Sequence, residues 1–234
     1  MSNFQQHIDH VVGDFLETAL VVDDEALRPP RPNASAASRT KRIRDKPHVR
    51  VDLSLKEPPE GAVETVEEHP LDSNALIDAF ADGGIICSVM APRAGDEIHT
   101  RVLRAGSRAD LLVLDWELHR DGGKTARDLI KGILDQDVGA GRRRLRVIAV
   151  YTGQPDLLQI MRRIATYLEL EAGAVQDGGL TLTKDGFRIV GFCKPLRENL
   201  RPEIAARQAE ESELPSRLAS EFAKLTDGWC PRSR

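Results

Sequence analysis

Leu111, Leu112, Val113 and Leu114 form an unbroken apolar run that stops at Asp115. A strand needs such a run only when both of its faces are covered, as they are inside a parallel sheet layered by helices. The run therefore points to an α/β fold and puts a carboxylate at the C-terminal end of an interior strand. In open α/β sheets that edge is where ligands bind. Three further strand-like runs end in polar chemistry: A-L-V-V in Asp23, Asp24 and Glu25, V-I-A-V-Y in Thr152, and I-V-G-F-C in Lys194.

A chain of 234 residues with 41% hydrophobic content is long enough for one sizeable core. Its net charge is only -4, and it has no apolar run of the 18 or more residues that a membrane span needs. Bulk charge thus implies neither a membrane nor a nucleic acid as partner. The N-terminal M-S-N-F-Q-Q-H-I-D-H lacks the basic and apolar regions of a signal peptide, and three unevenly spaced cysteines make no disulfide framework. A reducing cytoplasm is the expected compartment.

Phe4, Ile8, Val11, Val12, Phe15 and Leu16 recur at helical spacing, so an amphipathic helix is expected within residues 1–17, packed on its own domain or serving a homodimer contact. The main domain is expected over 18–197, with an insertion at 28–70. Residues 28–50 hold eight basic residues against Asp45 alone, with little to bury, and read as a disordered basic tip. No aromatic is interleaved there for base stacking, so nucleic-acid binding is not expected. Val49, Val51, Leu53 and Leu55 alternate with polar residues, the period of one half-buried extra strand.

From Asp72 or Ser73, as helix cap, strands and helices alternate. A helix stopped by Gly83-Gly84 is followed by a strand over 85–89, a short helix over 97–103, the Asp115 strand, a helix after Gly122-Gly123, a strand over 145–151, and a helix with Pro155 at its first position. Residues 179–183 and 187–192, joined by Lys184-Asp185-Gly186, read as a hairpin. Leu214, Leu218, Phe222 and Leu225 mark an amphipathic helix in a C-terminal helical extension, 198–234. Right-handed crossovers then give a flavodoxin-like, doubly wound parallel sheet of five strands in the order 2-1-3-4-5, with one added hairpin strand before the fifth.

That order brings Asp23, Asp24, Asp115, Thr152 and Lys194 to one edge, and there the chain resembles the response-regulator receiver domain of two-component signalling. The resemblance covers roughly residues 18–27 and 71–197 and is closest to divergent receivers with an enlarged connection after the first strand. V-V-D-D-E resembles the acidic pair, which implies Mg²⁺ held by Asp23 and Asp24 together with Asp115. L-V-L-D-W resembles the strand ending in the phosphoacceptor, which implies that role for Asp115. V-Y-T-G puts Thr152 in place of the hydroxyl that contacts the phosphoryl group, and C-K-P supplies Lys194 followed by Pro195, usually kept in cis. The chain departs from the family at Gly191, where receivers place an aromatic side chain, and it has Glu117 and Gln154 at the positions where the family's side chains govern hydrolytic water.

The resemblance implies phosphoryl transfer to Asp115 from a histidine kinase or phosphotransfer protein, and a switched surface for a downstream effector or a second copy. Activity of its own would be limited to self-phosphorylation and autodephosphorylation. The alternative from another class is a pseudo-receiver, a binding or dimerisation module that is never phosphorylated. Two other readings are disfavoured. H-R-D-G-G-K-T-A resembles the end of a P-loop but has Leu118 where that loop needs a glycine. Phosphatases of the haloacid dehalogenase class carry an aspartate two residues after the nucleophile, where this chain has Glu117. His99 and His119 lack partners at metal-ligand spacing and read as loop residues.

Overall fold

The computed structural model describes residues 15–26, 71–92, 97–140, 144–195 and 201–227. The helix expected over 1–17, apart from Phe15 and Leu16 near its end, the insertion 28–70 with its extra strand, and the last seven residues lie outside them.

Leu111–Leu114 is a strand, β3 in chain order, and every residue of it is buried. It lies between β1 (Thr18–Val22) and β4 (Arg146–Thr152), parallel to both, and its odd and even positions feed opposite cores. Leu112 and Leu114 join Leu20, Val22, Ile148 and Val150 on one face, whereas Leu111 and Val113 join Val21, Val147 and Ala149 on the other. β2 (Ile86–Met90) pairs with β1 and β7 (Phe187–Cys193) with β4, again in parallel. The register sets Val22 beside Leu114 and Met90, Leu114 beside Val150, and Thr152 beside Cys193. The ends of β1, β3, β4 and β7 therefore fall along one edge.

The sheet has seven strands in the order β2-β1-β3-β4-β7-β6-β5, which corrects the expected five with one addition. β6 (Thr181–Lys184) is antiparallel to β7, and β5 (Val175–Gln176) is antiparallel to β6. The β6–β7 turn is Asp185-Gly186 with φ of 46° and 95°, the paired left-handed residues that a two-residue hairpin turn uses. A two-residue V-Q strand has no periodicity to detect, and β5 was for that reason invisible in the sequence.

Helices cover both faces. α1 (Ser73–Asp82) starts where the Asp72 carboxylate accepts from the Asn74 and Ala75 amides. α2 (Ile98–Gly106), α3 (Lys124–Gly139) and α4 (Leu157–Tyr167) bury Val102, Leu129, Ile133, Ile160 and Ile164 against the first face. The other face receives Leu76 and Phe80 of α1 and Leu214, Leu218 and Phe222 of α6 (Leu214–Asp227), which follows the short α5 (Pro202–Ala205). Phe15 reaches the same layer, its ring 5.6 Å from that of Phe222.

Several local expectations are corrected. Pro155 is not the first residue of α4: Asp156 caps that helix by accepting from the Gln159 amide, and Pro155 falls before the cap. His99 lies on α2 rather than in a loop. No cis peptide bond occurs among the described residues, so Lys194–Pro195 is trans.

Candidate functional site

Main-chain bonds place each acid one step beyond its strand. The Asp115 amide donates to the Val22 carbonyl at 2.9 Å and the Asp23 amide to the Met90 carbonyl at 3.1 Å, so the ladders run on to the acids themselves. Beyond Asp23 the chain turns: Ala26 N–H donates to the Asp23 carbonyl and Glu25 N–H to Asp23 Oδ1 at 2.8 Å. Asp24 Oδ2 accepts from the amide of His119, whose φ of 60° lies in the left-handed region. One carboxylate oxygen each from Asp23, Asp24 and Asp115 lie within 4.8 Å of one another.

Lys194 is delivered to the same place by β7, with its amide donating to the Thr152 carbonyl at 3.0 Å. Its ammonium is 2.9 Å from Asp23 Oδ2 and 3.9 Å from Asp115 Oδ2, and all three side chains are at least nine-tenths buried. Thr152 is buried on the same edge, and its hydroxyl oxygen accepts from the Gln154 amide at 3.1 Å. The structure thus brings together Asp23, Asp24, Asp115 and Lys194. Thr152 adjoins them through its main chain.

Three carboxylates and one ammonium leave an excess of negative charge in a largely dry setting. Burial is the main reason that the Asp115 carboxyl is pushed up to about 7; Asp23 and Asp24 add to the rise, while Lys194 and the Glu117 amide oppose it. Burial also pulls the Lys194 ammonium down, but Asp115 and Asp23 outweigh it and hold its pKa above the ordinary value. Converging hard oxygen donors and an unbalanced negative charge fit a divalent cation of the Mg²⁺ type. A cation bound there would share with the lysine the Asp23 carboxylate, both of whose oxygens already accept a hydrogen bond.

Sequence reasoning missed three contributors. His119 reads in the sequence as a loop residue, yet its amide donates to Asp24 Oδ2, and nothing in an L-H-R triplet announces a left-handed backbone. Tyr151, adjacent to Thr152, places its ring face 5.7 Å from the Lys194 ammonium. Gly123 admits Trp116: a Cβ on that glycine, whose φ is 81°, would stand 2.1 Å from the indole. The second glycine of the D-G-G-K segment thus makes room for the indole next to Asp115.

This edge, on an α/β sheet that is mostly parallel, gathers three carboxylates and one ammonium where such sheets bind ligands. The family model described as a response receiver domain matches residues 15–199, well over half of the chain. The chain belongs to the response receiver domain family, and with it to the response regulators of two-component signalling. No curated protein and no solved structure matches it at a significant level.

Proposed function

We propose that this chain is a receiver that accepts a phosphoryl group on Asp115 from the phosphohistidine of a kinase or phosphotransfer protein. The observation that carries this reading is the convergence of Asp23, Asp24 and Asp115 within 4.8 Å, with the Lys194 ammonium between Asp23 and Asp115. Asp115 Oδ attacks phosphorus, an O–P bond forms, the N–P bond breaks, and the imidazole nitrogen leaves with the electron pair. Asp23, Asp24 and Asp115 would hold Mg²⁺, which neutralises phosphoryl oxygens and favours the ionised form of Asp115.

The chain's own residues supply the rest. Lys194 offers a cation already desolvated beside Asp115, which costs little reorganisation when charge develops. The Thr152 hydroxyl, at the end of the adjacent strand, supplies a hydrogen bond to another phosphoryl oxygen. Adding roughly two negative charges to Asp115 changes the balance around Lys194 and biases the loops that carry these groups. A downstream effector or a second copy would read that change, in a cytoplasmic setting. No helix among the described residues is long and apolar enough to cross a membrane.

Trp116 is buried next to Asp115 and reports on the site. Beryllofluoride, a phosphoryl mimic, is expected to change its emission only with Mg²⁺ present, and Asp115→Asn to abolish the change. Incubation with a small phosphodonor should leave acid-stable, base-labile phosphate on the intact chain. If neither is seen, the chain is a pseudo-receiver acting as a binding or dimerisation module.

A further inference from the structure

The Lys194 ammonium has one wall that is not a carboxylate. The Tyr151 ring faces it at 5.7 Å, within the range at which a cation is attracted to an aromatic face. Tyr151 is 1% exposed, and its hydroxyl donates to the Ala209 carbonyl at 2.9 Å. Burial, followed by the charge of Glu211 and its side-chain interaction with the hydroxyl, raises the Tyr151 pKa, so the hydroxyl stays protonated.

Ala209 is tied back to the lysine by a second route. Its amide donates to the Cys193 carbonyl at 3.1 Å, and the Cys193 amide donates to the Arg207 carbonyl at 2.9 Å. Cys193 and Gln208 form an isolated parallel bridge, which seats residues 207–209 against the end of β7. The result is a closed circuit: Lys194 to the Tyr151 ring, Tyr151 hydroxyl to Ala209, Ala209 to Cys193, and Cys193 to Lys194 along the chain. Gly191 contributes no ring, and its place is taken by Leu157, whose side chain lies 2.9 Å from where a Cβ would stand.

We propose that Tyr151 is a positioning residue for Lys194 and, through Ala209, the link by which a change of charge at the acid cluster reaches residues 207–214. The inference rests on the phosphoacceptor reading. The Asp23–Lys194 contact of 2.9 Å is shorter than the Asp115–Lys194 contact of 3.9 Å, so a new anion on Asp115 draws the ammonium away from Asp23. That movement changes the cation's place over the ring. The ring cannot follow without lengthening the bond to Ala209, and Ala209 cannot shift without disturbing the β7 bridge that it shares with Cys193.

The test is amide hydrogen exchange on the full chain, with and without Mg²⁺ and beryllofluoride, in the wild type, Tyr151→Phe and Tyr151→Leu. The wild type is expected to bind the mimic and change exchange across 207–214. Tyr151→Phe keeps the ring, so it should bind within about threefold of the wild type, yet show no change across 207–214. Tyr151→Leu loses the ring and should bind roughly tenfold more weakly. A full exchange response in Tyr151→Phe overturns the proposal, as does a wild type that binds the mimic with residues 207–214 unmoved. A wild type that binds no mimic at all overturns the phosphoacceptor reading and the link together, and the binding measurement tells that outcome from the others.

Discussion

Lys194 donates to Asp23 Oδ2, so on the proposed reading it competes with a cation for that carboxylate. Replacing it with an uncharged chain of similar length, Lys194→Met, should tighten Mg²⁺ binding by roughly three- to tenfold, because one positive charge beside the cluster is gone. On the proposed phosphoacceptor reading, the same change should also slow transfer to Asp115, which loses the ammonium 3.9 Å from its Oδ2. Calorimetric titration with Mg²⁺ checks the first expectation, and weaker binding would refute the competition. Gly123 makes a separate point about legibility. The sequence shows a G-G pair before a helix but not that an indole lies on the second glycine. Gly123→Ala must pay for a φ of 81° and for a Cβ at 2.1 Å from Trp116, so a loss of about 3 kcal/mol is expected in denaturant unfolding. A midpoint unchanged from the wild type would mean that the indole has room to move.

At the scale of elements, β1, β3, β4 and β7 were readable because apolar runs ending in a polar residue leave few alternatives. The apolar face of α6 was legible too, but the ion pairs that join that helix to the sheet were not, since they link charged residues far apart in sequence. Arg188 on β7 donates to Glu221 of α6 at 2.6 Å and to Gln176 of β5 at 2.8 Å, and Arg207 reaches Glu221 at 3.5 Å and Asp177 at 2.9 Å. The Arg188 and Glu221 side chains are each 6% exposed. Breaking such a pair from one side leaves a buried charge, so Glu221→Ala should cost about 3–5 kcal/mol, whereas Arg188→Met with Glu221→Leu should recover much of it. Burial alone would raise the Glu221 carboxyl, but hydrogen bonds from Lys224 and Arg188 outweigh it and hold its pKa below the ordinary value. The stabilisation is therefore complete above the unfolded pKa of about 4.3 and is lost as pH falls through the lower folded value. Thermal melts from pH 6 down to 3 should show a steeper acid loss in the wild type than in Glu221→Gln. Parallel curves would argue that the pair contributes nothing to acid sensitivity.

Across the whole molecule, the sequence made visible the residues that converge but not all of what holds them. Asp23, Asp115 and Lys194 could be brought together on paper because each ends a strand of a sheet whose order follows from right-handed crossovers. The hairpin that adds β6 was legible from its Asp-Gly turn, whereas the two-residue β5, the Tyr151 contact and the His119 turn depend on tertiary packing and left no periodic trace. One consequence belongs to the molecule alone. The acids and the lysine come from three strand ends, and Asp23 and Lys194 are 171 residues apart in sequence, so no single segment can keep the site when the sheet unfolds. A ligand of the site should therefore bind the native state only and shift global stability by mass action. With Mg²⁺ and beryllofluoride at about 100 times the dissociation constant, the gain is about 2.7 kcal/mol, or a rise in Tm of roughly 5–10 °C for a chain of this size. Asp115→Asn should lose the increment due to beryllofluoride, because its side chain offers no anionic oxygen to the mimic. Differential scanning fluorimetry at several ligand concentrations measures both. An equal beryllofluoride increment in Asp115→Asn would place the mimic away from this edge and remove the ground for assigning the phosphoacceptor to Asp115.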